Sequence, residues 1–362
     1  MLKQQKIFFD FLRFCIGSAK EIPGSLKEVD WKELYAIAKK QCLVGVLFDG
    51  IKKLPAEHVG MEKELLLHWM AESQMLEKAN VRLNDAAIQV SEWFRKKGFR
   101  TCILKGQGNA LMYPNPYSRT PGDIDIWVEG EDKRVISFVR SISPHEKACY
   151  HHIEFPSYKG VEVEVHYRPS FLLCFWHNRK LQKYYERVKE EQFSHRVMLG
   201  EQGEIAIPTV EFNLIFQLTH IFSHLMNEGI GLRQLLDYYY VISMLSVNCE
   251  MLTSLQKELK ELGLWKFAGG IMYIMQEVFG MPASQLIIPP NEKYGKFVLN
   301  EVLEAGNFGK HDERNRFGGS QLGHNLQRVY RDMRLVKFFP AEALCEPLFR
   351  TWHFFWRLKY KK

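Results

Sequence analysis

The chain has 362 residues, of which 46% are hydrophobic and 13% aromatic, enough apolar material for a full core, so a disordered protein is excluded. Its formal net charge of +7 is compatible with an anionic substrate but too modest to identify a nucleic-acid binder. The seven cysteines form no C-x-x-C pair, a pattern that predicts neither a zinc site nor a disulfide framework, but reduced thiols in a cytoplasmic protein.

The first 17 residues resemble a signal peptide only superficially. Asp10 and Arg13 interrupt their apolar stretch and no small-residue cleavage site follows, so an amphipathic helix is the better interpretation. No later window offers about 18 uncharged apolar residues, and no membrane span is predicted.

Residues 1–97 have a helical pattern. Asp30 followed by Glu33 is typical of a capping box and predicts a helix through Leu47. A second, longer periodic segment over residues 61–97 ends before Gly98, and its apolar stripe indicates a core-facing helix.

The stretch over residues 102–128 contains the clearest chemical signal. An apolar run that predicts a buried strand breaks at Lys105-Gly106 into one short helix, and a second strand carries Asp123 and Asp125. Alternate residues of a strand share a face, so the two carboxylates project to one side about 7 Å apart. Like charges this close repel unless a cation neutralises them, and Mg²⁺ prefers such oxygen ligands. The pair therefore predicts a metal site.

A helix over residues 131–141 and a β-hairpin follow. The hairpin arms lie at residues 150–155 and 161–167, separated by a short loop that contains Gly160. On the second arm Glu162, Glu164 and His166 share one face, and three valines occupy the other.

From Pro208 the chain is helical again. His220 and His224 have a metal-compatible i, i+4 spacing, but without a third ligand a metal site there is disfavoured. Arg233 and Asp237 are predicted to play a structural role as an ion pair. Residues 307–319 are predicted to form a mobile loop, and the basic and aromatic residues after 328 can bind single-stranded nucleic acid or a membrane surface, although a packed terminal helix is favoured.

The order Leu104-Lys105-Gly106, Tyr113-Pro114, Arg119 and Asp123-Ile124-Asp125-Ile126 resembles the signature of the uncharacterised nucleotidyltransferase family, within the DNA polymerase β-like superfamily. The resemblance implies an α+β fold. A small mixed sheet at residues 98–207 would form the catalytic core, flanked by helical regions at residues 1–97 and 208–362. It also implies transfer of a nucleoside monophosphate from an NTP to a hydroxyl of RNA, protein or a small molecule, with Mg²⁺ or Mn²⁺ as cofactor.

The resemblance also assigns roles to individual residues. Asp123 and Asp125 would bind the metal ions, and Glu164 would supply the third carboxylate, with Glu162 in reserve. The expected nucleotide-binding residues are Lys105, Gly106, Gln107 and Arg119. Gln107 stands where the superfamily has Gly or Ser, so its side chain is expected to crowd a triphosphate, with Lys105 offering compensating charge. His151, His152 and His166 are not assigned catalytic roles.

Two other functions fit parts of the pattern. A glycosyltransferase also uses D-x-D to hold a metal and a nucleotide-sugar, but the upstream Lys105-Gly106 and the helical N-terminal region fit it poorly. A non-catalytic nucleotide-binding or interaction module would follow if Gln107 marked a decayed phosphate loop.

Overall fold

The computed structural model describes residues 3–201, 203–245, 249–310, 312, 314 and 321–360. Over these residues the fold is α+β, as the sequence predicted, with a small mixed β-sheet surrounded by helices. In the same ranges no helix has the length and apolar character needed to span a bilayer.

The chain before the sheet is helical, in agreement with the sequence. Its α-helices are α1 (Lys3–Ile16), α2 (Trp31–Lys40), α3 (Val44–Ile51) and α4 (Lys63–Lys96). The Asp30 side chain caps α2 by accepting the N–H groups of Lys32 and Glu33.

The helix predicted to run through Leu47 is interrupted, and this part of the prediction was wrong. The backbone turns at Cys42, where φ is 56°, and α3 begins two residues later. The buried side chain of Gln41 accepts the N–H of Leu232 at 2.8 Å and donates to the carbonyl of Val302 at 3.2 Å. The turn is thus tied to the C-terminal helices, and these tertiary contacts outweigh the local helical pattern.

The main sheet has the strand order β1-β2-β4-β3. Its strands are β1 (Thr101–Ile103), β2 (Ile124–Val128), β3 (His152–Tyr158) and β4 (Val161–His166). Strand β2 runs antiparallel to β1 and parallel to β4, while β3 and β4 form the predicted hairpin. The parallel register places Asp125 opposite Glu164 and Trp127 opposite His166.

The alternation of side chains along β2 gives the sheet two different faces. Ile124, Ile126 and Val128 belong to a hydrophobic cluster shared with the second half of α4. Trp127 lies on the opposite face, where its ring centroid is 4.6 Å from that of Phe193. Asp125 is on that same face, so the polar residues of β2 and β4 open toward the helices that follow the sheet.

Short helices connect these strands and more helices follow them. The one-turn helix α5 (Gln107–Ala110) comes after β1, and α6 (Asp132–Ile142) after β2. The remaining elements are α7 (Phe175–Ser194), the hairpin β5 (Arg196–Leu199) and β6 (Gly203–Ala206), α8 (Val210–Asn227), α9 (Leu232–Ser243), α10 (Cys249–Glu261), α11 (Trp265–Glu277), α12 (Glu292–Ala305), α13 (Gln321–Leu335) and α14 (Pro340–Lys359). The predicted loop at residues 307–319 lies largely outside the described residues.

The N- and C-terminal helical regions share one hydrophobic cluster. It includes Phe8 and Leu34 from the first region and Phe216 and Phe279 from the second, all fully buried. The two regions therefore contact each other as well as the sheet. The three-part division at residues 97 and 207 stays a prediction.

Candidate active site

Three carboxylates meet at the polar face of the sheet. Asp123 immediately precedes β2, Asp125 lies within it, and Glu164 is on β4. One oxygen from each of the three lies within 4.8 Å of those of the other two. Since neighbouring strands are about 4.8 Å apart, the parallel pairing of β2 with β4 brings these side chains together although 39 residues separate the last two in sequence.

Two cationic side chains contact this carboxylate group. Lys105 Nζ, at the end of β1, lies 3.0 Å from Oδ2 of Asp125. His166 Nε2 lies 2.9 Å from Oδ1 of the same residue and 3.4 Å from Oε2 of Glu164. Buried carboxylates need such partners, because an unpaired charge in a protein interior is costly.

The pKa values of the aspartates diverge because their surroundings differ. Burial by itself would raise the pKa of Asp125, but Lys105 and the hydrogen bond from His166 hold it well below its usual value. The neighbouring charge of Asp125, and then burial, raise the pKa of Asp123. Like charges that perturb each other in this way favour a divalent cation.

The histidines around the carboxylates divide into two protonation classes. Despite burial, hydrogen bonds to Asp125 and Glu164 raise the pKa of His166 to about 9, so it is an imidazolium at neutral pH. Burial, and then the charge of His166, lower the pKa of His152 to about 4. Burial and the ammonium of Lys105 likewise lower the pKa of His220, which is therefore neutral.

The three carboxylates fit a hard divalent ion. They supply oxygen ligands from two strands, which is the donor chemistry that Mg²⁺ and Mn²⁺ prefer. Lys105 and His166 contact Asp125 of this donor set and offset part of its negative charge.

Gly106 lines the cavity between Lys105 and the short helix α5. Its φ of 56° and ψ of −108° suit glycine, and a Cβ there would lie 3.6 Å from the carbonyl oxygen of Asp123. The helix that follows has only four residues, so its dipole is small. Any contact with a phosphate here would depend on the nearby backbone more than on that dipole.

Gln107 points away from the carboxylates. Its side chain is 2% exposed and donates hydrogen bonds to Oδ1 of Asn84 and the carbonyl of Asn80. It lines a separate cavity of about 80 Å³. The structure therefore does not bring Gln107 into the site, and its side chain does not occupy the space expected for phosphates.

Arg119 borders the site but is held by another residue. Its Nε and Nη2 donate to the two carboxylate oxygens of Asp237, each at 2.8 Å, and Tyr113 donates to the same carboxylate at 2.7 Å. Arg233 Nη1 donates to the carbonyl of Thr120 at 3.0 Å. The ion pair predicted from the sequence joined Asp237 to Arg233, whereas the structure shows the Asp237 carboxylate held by Arg119, a contact that no local spacing could reveal.

A cavity of about 560 Å³ opens beside the carboxylates, within the size range of small-molecule sites. One wall is formed by the sheet, Lys105 and Gly106, and another by α8 and α9. The C-terminal helices α13 and α14 form a third wall with the following side chains: Arg328, Glu346, Phe349, Arg350 and His353.

This third wall contains polar atoms that are ready for a ligand. Nη1 of Arg350 and Nε2 of His353 are buried and, among the described residues, lack a hydrogen-bond partner. Buried polar atoms of this kind are rare in native proteins, and those that line a cavity are candidates for ligand contacts. Both residues line the cavity, and since Nη2 of Arg350 lies 3.4 Å from Oε2 of Glu346, Nη1 is the guanidinium nitrogen that remains for a ligand.

Several site residues were missed or rejected at the level of sequence. Two signals pointed to His166: it shares a strand face with Glu164, and the run Glu164-Val165-His166 resembles the acidic-x-His element of the family that the sequence resembles. The reserve residue Glu162 is exposed and does not line the cavity. His220 Nε2 lies 3.1 Å from Lys105 Nζ, and within the described chain His220 and His224 belong to no group of three metal-compatible ligands.

Comparisons with known proteins are consistent with this geometry. A family model described as "Uncharacterised nucleotidyltransferase" matches residues 27–280. No curated protein matches the chain. Among solved structures the chain is similar to an antigenic nucleotidyltransferase-like protein from Paracoccidioides brasiliensis, at 15% identity and a TM-score of 0.30, over 52% of this chain and 88% of that one. That likeness is too weak to support a conclusion about fold or function. The wall formed by α13 and α14 lies beyond the matched residues.

Proposed function

The chain belongs to the uncharacterised nucleotidyltransferase family, and from that premise we propose that it transfers a nucleoside monophosphate from an NTP to a hydroxyl acceptor. The observation that supports this most directly is the meeting of Asp123, Asp125 and Glu164, with ligand oxygens within 4.8 Å of one another. A non-catalytic binding site has no need of three converging carboxylates beside a cavity of nucleotide size.

In the proposed reaction the acceptor oxygen bonds to the α-phosphorus and pyrophosphate leaves with the electrons of the broken P–O bond. The hydroxyl proton passes to solvent. Bound Mg²⁺ or Mn²⁺ supplies charge stabilisation for the phosphoryl, attacking and leaving oxygens. Asp123 and Asp125 are the proposed ligands, and Glu164 completes the set beside the position of the acceptor.

The phosphates need positive partners of their own. Lys105 is placed at the edge of the carboxylates, and Gly106 lets the backbone approach without a side chain in the way. Arg328 and Arg350 are the proposed phosphate contacts from the C-terminal wall. Arg119 acts as a positioning residue, because its guanidinium is already paired with Asp237.

The structure weakens the specific argument for a decayed site. That argument rested on Gln107 crowding the phosphates, whereas its side chain is bonded to Asn84 outside the cavity. Nucleic-acid binding and a cytoplasmic location stay predictions.

The test is pyrophosphate release from each of the four NTPs, with Mg²⁺ or Mn²⁺ and with RNA, protein and small-molecule hydroxyl pools as acceptors. We expect release with one NTP, transfer of its α-phosphate label, and loss of both when Asp123 and Asp125 are changed to Asn. Full activity in that variant would refute the assignment. Metal-dependent NTP binding without pyrophosphate release in any acceptor pool would favour a non-catalytic binding module. Hydrolysis of a nucleotide-sugar would favour a glycosyltransferase.

A further inference from the structure

A second group of metal-compatible side chains lies where the start of α7 meets the start of α14. Cys174 caps α7 and His177 is in its first turn, while Glu342 and Cys345 are in the first turns of α14. Ligand atoms of the first three lie within 4.8 Å of one another, and the side chain of Cys345 lies beside that of Cys174. Residues three apart share a helix face, so two such pairs face each other.

The chemistry of these donors differs from that of the carboxylate site. Two thiols, one imidazole and one carboxylate form a set of the kind that holds structural zinc. Zinc bonds of about 2.0–2.3 Å in a tetrahedron place ligand atoms roughly 3.3–3.8 Å apart. The donor atoms of Cys174, His177 and Glu342, all within 4.8 Å of one another, are close to that spacing, and the Cys345 side chain would have to turn toward them to complete the tetrahedron.

Glu342 is fixed in position by the backbone. Its Oε2 accepts the N–H groups of Leu173 at 2.6 Å and Cys174 at 3.0 Å, while Oε1 lies 3.1 Å from His177 Nδ1. The residue is 4% exposed, and within the described chain its one ion-pair partner is this histidine. Two backbone N–H groups hold Oε2, so Oε1, which faces His177, is the oxygen placed to act as a metal ligand.

The orientation of His177 is also compatible with a metal ligand. A Cβ at Gly263 would lie 2.3 Å from Cε1 and 2.6 Å from Nε2 of the ring, so only glycine leaves room for it. The Cε1 edge of the ring is therefore packed against Gly263, and Nδ1 lies 3.1 Å from Oε1 of Glu342. A fixed ring with one nitrogen facing the other donors is the arrangement that a metal-binding histidine requires.

We propose that Cys174, His177, Glu342 and Cys345 bind one zinc ion. On binding, each thiol releases its proton to solvent and becomes a thiolate ligand, and the ion undergoes no redox change. The His177 side chain is 24% exposed and Cys345 is only partly buried, so the ion can enter from solvent.

Zinc bound at this position would affect the third wall of the cavity. The ion joins the segment after β4 to the start of α14, and α14 carries Phe349, Arg350 and His353 into the cavity. Zinc would hold this helix in place without taking part in chemistry. The proposal is independent of nucleotidyl transfer, and its test does not use activity.

The experiment is a titration of the full chain, reduced and freed of metal, with Co²⁺, followed by displacement with Zn²⁺. We expect a thiolate-to-cobalt charge-transfer band with a stoichiometry of one. The band should be lost in Cys174→Ser and Cys345→Ser, and His177→Gln should weaken cobalt binding by at least about tenfold. Matched controls are Cys249→Ser, an exposed thiol elsewhere, and Cys149→Ser, the thiol beside His151 and His152.

A reduced wild-type chain without the band overturns the proposal, and this result does not depend on the folding of any variant. A band that persists in Cys174→Ser but disappears in Cys149→Ser overturns it too, because the ion would then belong to the histidine group beside the cavity. The partly exposed position of His177 makes its Gln variant the one least expected to disturb folding.

Discussion

Asp125 and Glu164 stand opposite each other in the parallel ladder between β2 and β4. Both carboxylates contact Nε2 of His166, at 2.9 and 3.4 Å. The pairing joins carboxylates from two separate sequence motifs into one charged group, which the first prediction tests.

The first prediction separates Glu164 from its neighbour on the strand. Glu164→Gln keeps the shape of the side chain but removes a ligand charge, so we expect the rate of NMP transfer to fall at least about a hundredfold. Glu162→Gln is the matched control, because Glu162 shares the strand face but is exposed and outside the cavity. Pyrophosphate release by both variants measures this, and equal losses would contradict the role of Glu164.

The second prediction concerns the C-terminal wall. Arg350→Ala removes a guanidinium with a buried, unpartnered Nη1, and we expect the KM for the NTP to rise about tenfold or more. Arg357→Ala, on the same helix but exposed and away from the cavity, should leave KM within about twofold. Steady-state kinetics or NTP titration measures the difference between the two variants. An unchanged KM in Arg350→Ala would mean that the triphosphate does not reach this wall.

The third prediction concerns the residue that departs from the superfamily pattern. Gln107→Ser introduces the usual small residue, yet the native side chain already lies outside the cavity. We therefore expect NTP affinity to stay within about twofold, while the free energy of unfolding falls by about 1–3 kcal/mol because buried hydrogen bonds to Asn84 and Asn80 are lost. Nucleotide titration and urea denaturation measure the two effects. A large gain in affinity would restore the crowding hypothesis.

The fourth prediction concerns the buried pair behind the cavity. Asp237→Ala leaves the guanidinium of Arg119 buried without its bidentate partner, and we expect a loss of about 3–5 kcal/mol in the free energy of unfolding. The exposed pair Arg196–Glu204 gives the contrast, since Glu204→Gln should cost less than about 1 kcal/mol. Urea denaturation compares them, and similar losses would show that the buried pair is not structural.

The fifth prediction is a pH dependence of the metal-free protein. The folded-state pKa of His166, about 9, exceeds its ordinary value of 6.5, so the folded form holds its proton more tightly than the unfolded chain. The resulting stabilisation, on the order of 3 kcal/mol at most, is complete below pH 6.5 and is lost as pH rises through 9. Denaturation in EDTA between pH 6 and 10 should show this decline, and His166→Gln should flatten it. An equally steep decline in the variant would assign it to other groups.

The sequence by itself determined the elements and the central motif. Capping at Asp30, the long periodic helix α4 and the alternating patterns of β2 and β4 depend on neighbours within a few residues, so local rules were sufficient. The same alternation placed Asp125 and Glu164 on defined strand faces before any fold was known.

Only the tertiary structure decided which distant residues meet. The pairing of Arg119 with Asp237, the turn at Gln41 and the wall formed by α14 depend on contacts between residues more than 100 positions apart. The spacing of the cysteines predicted no zinc site. The proposed ligands form two pairs on separate helices, Cys174 with His177 and Glu342 with Cys345. Sequence periodicity sets the face on which a side chain lies, whereas the packing of whole helices on the sheet sets its partner.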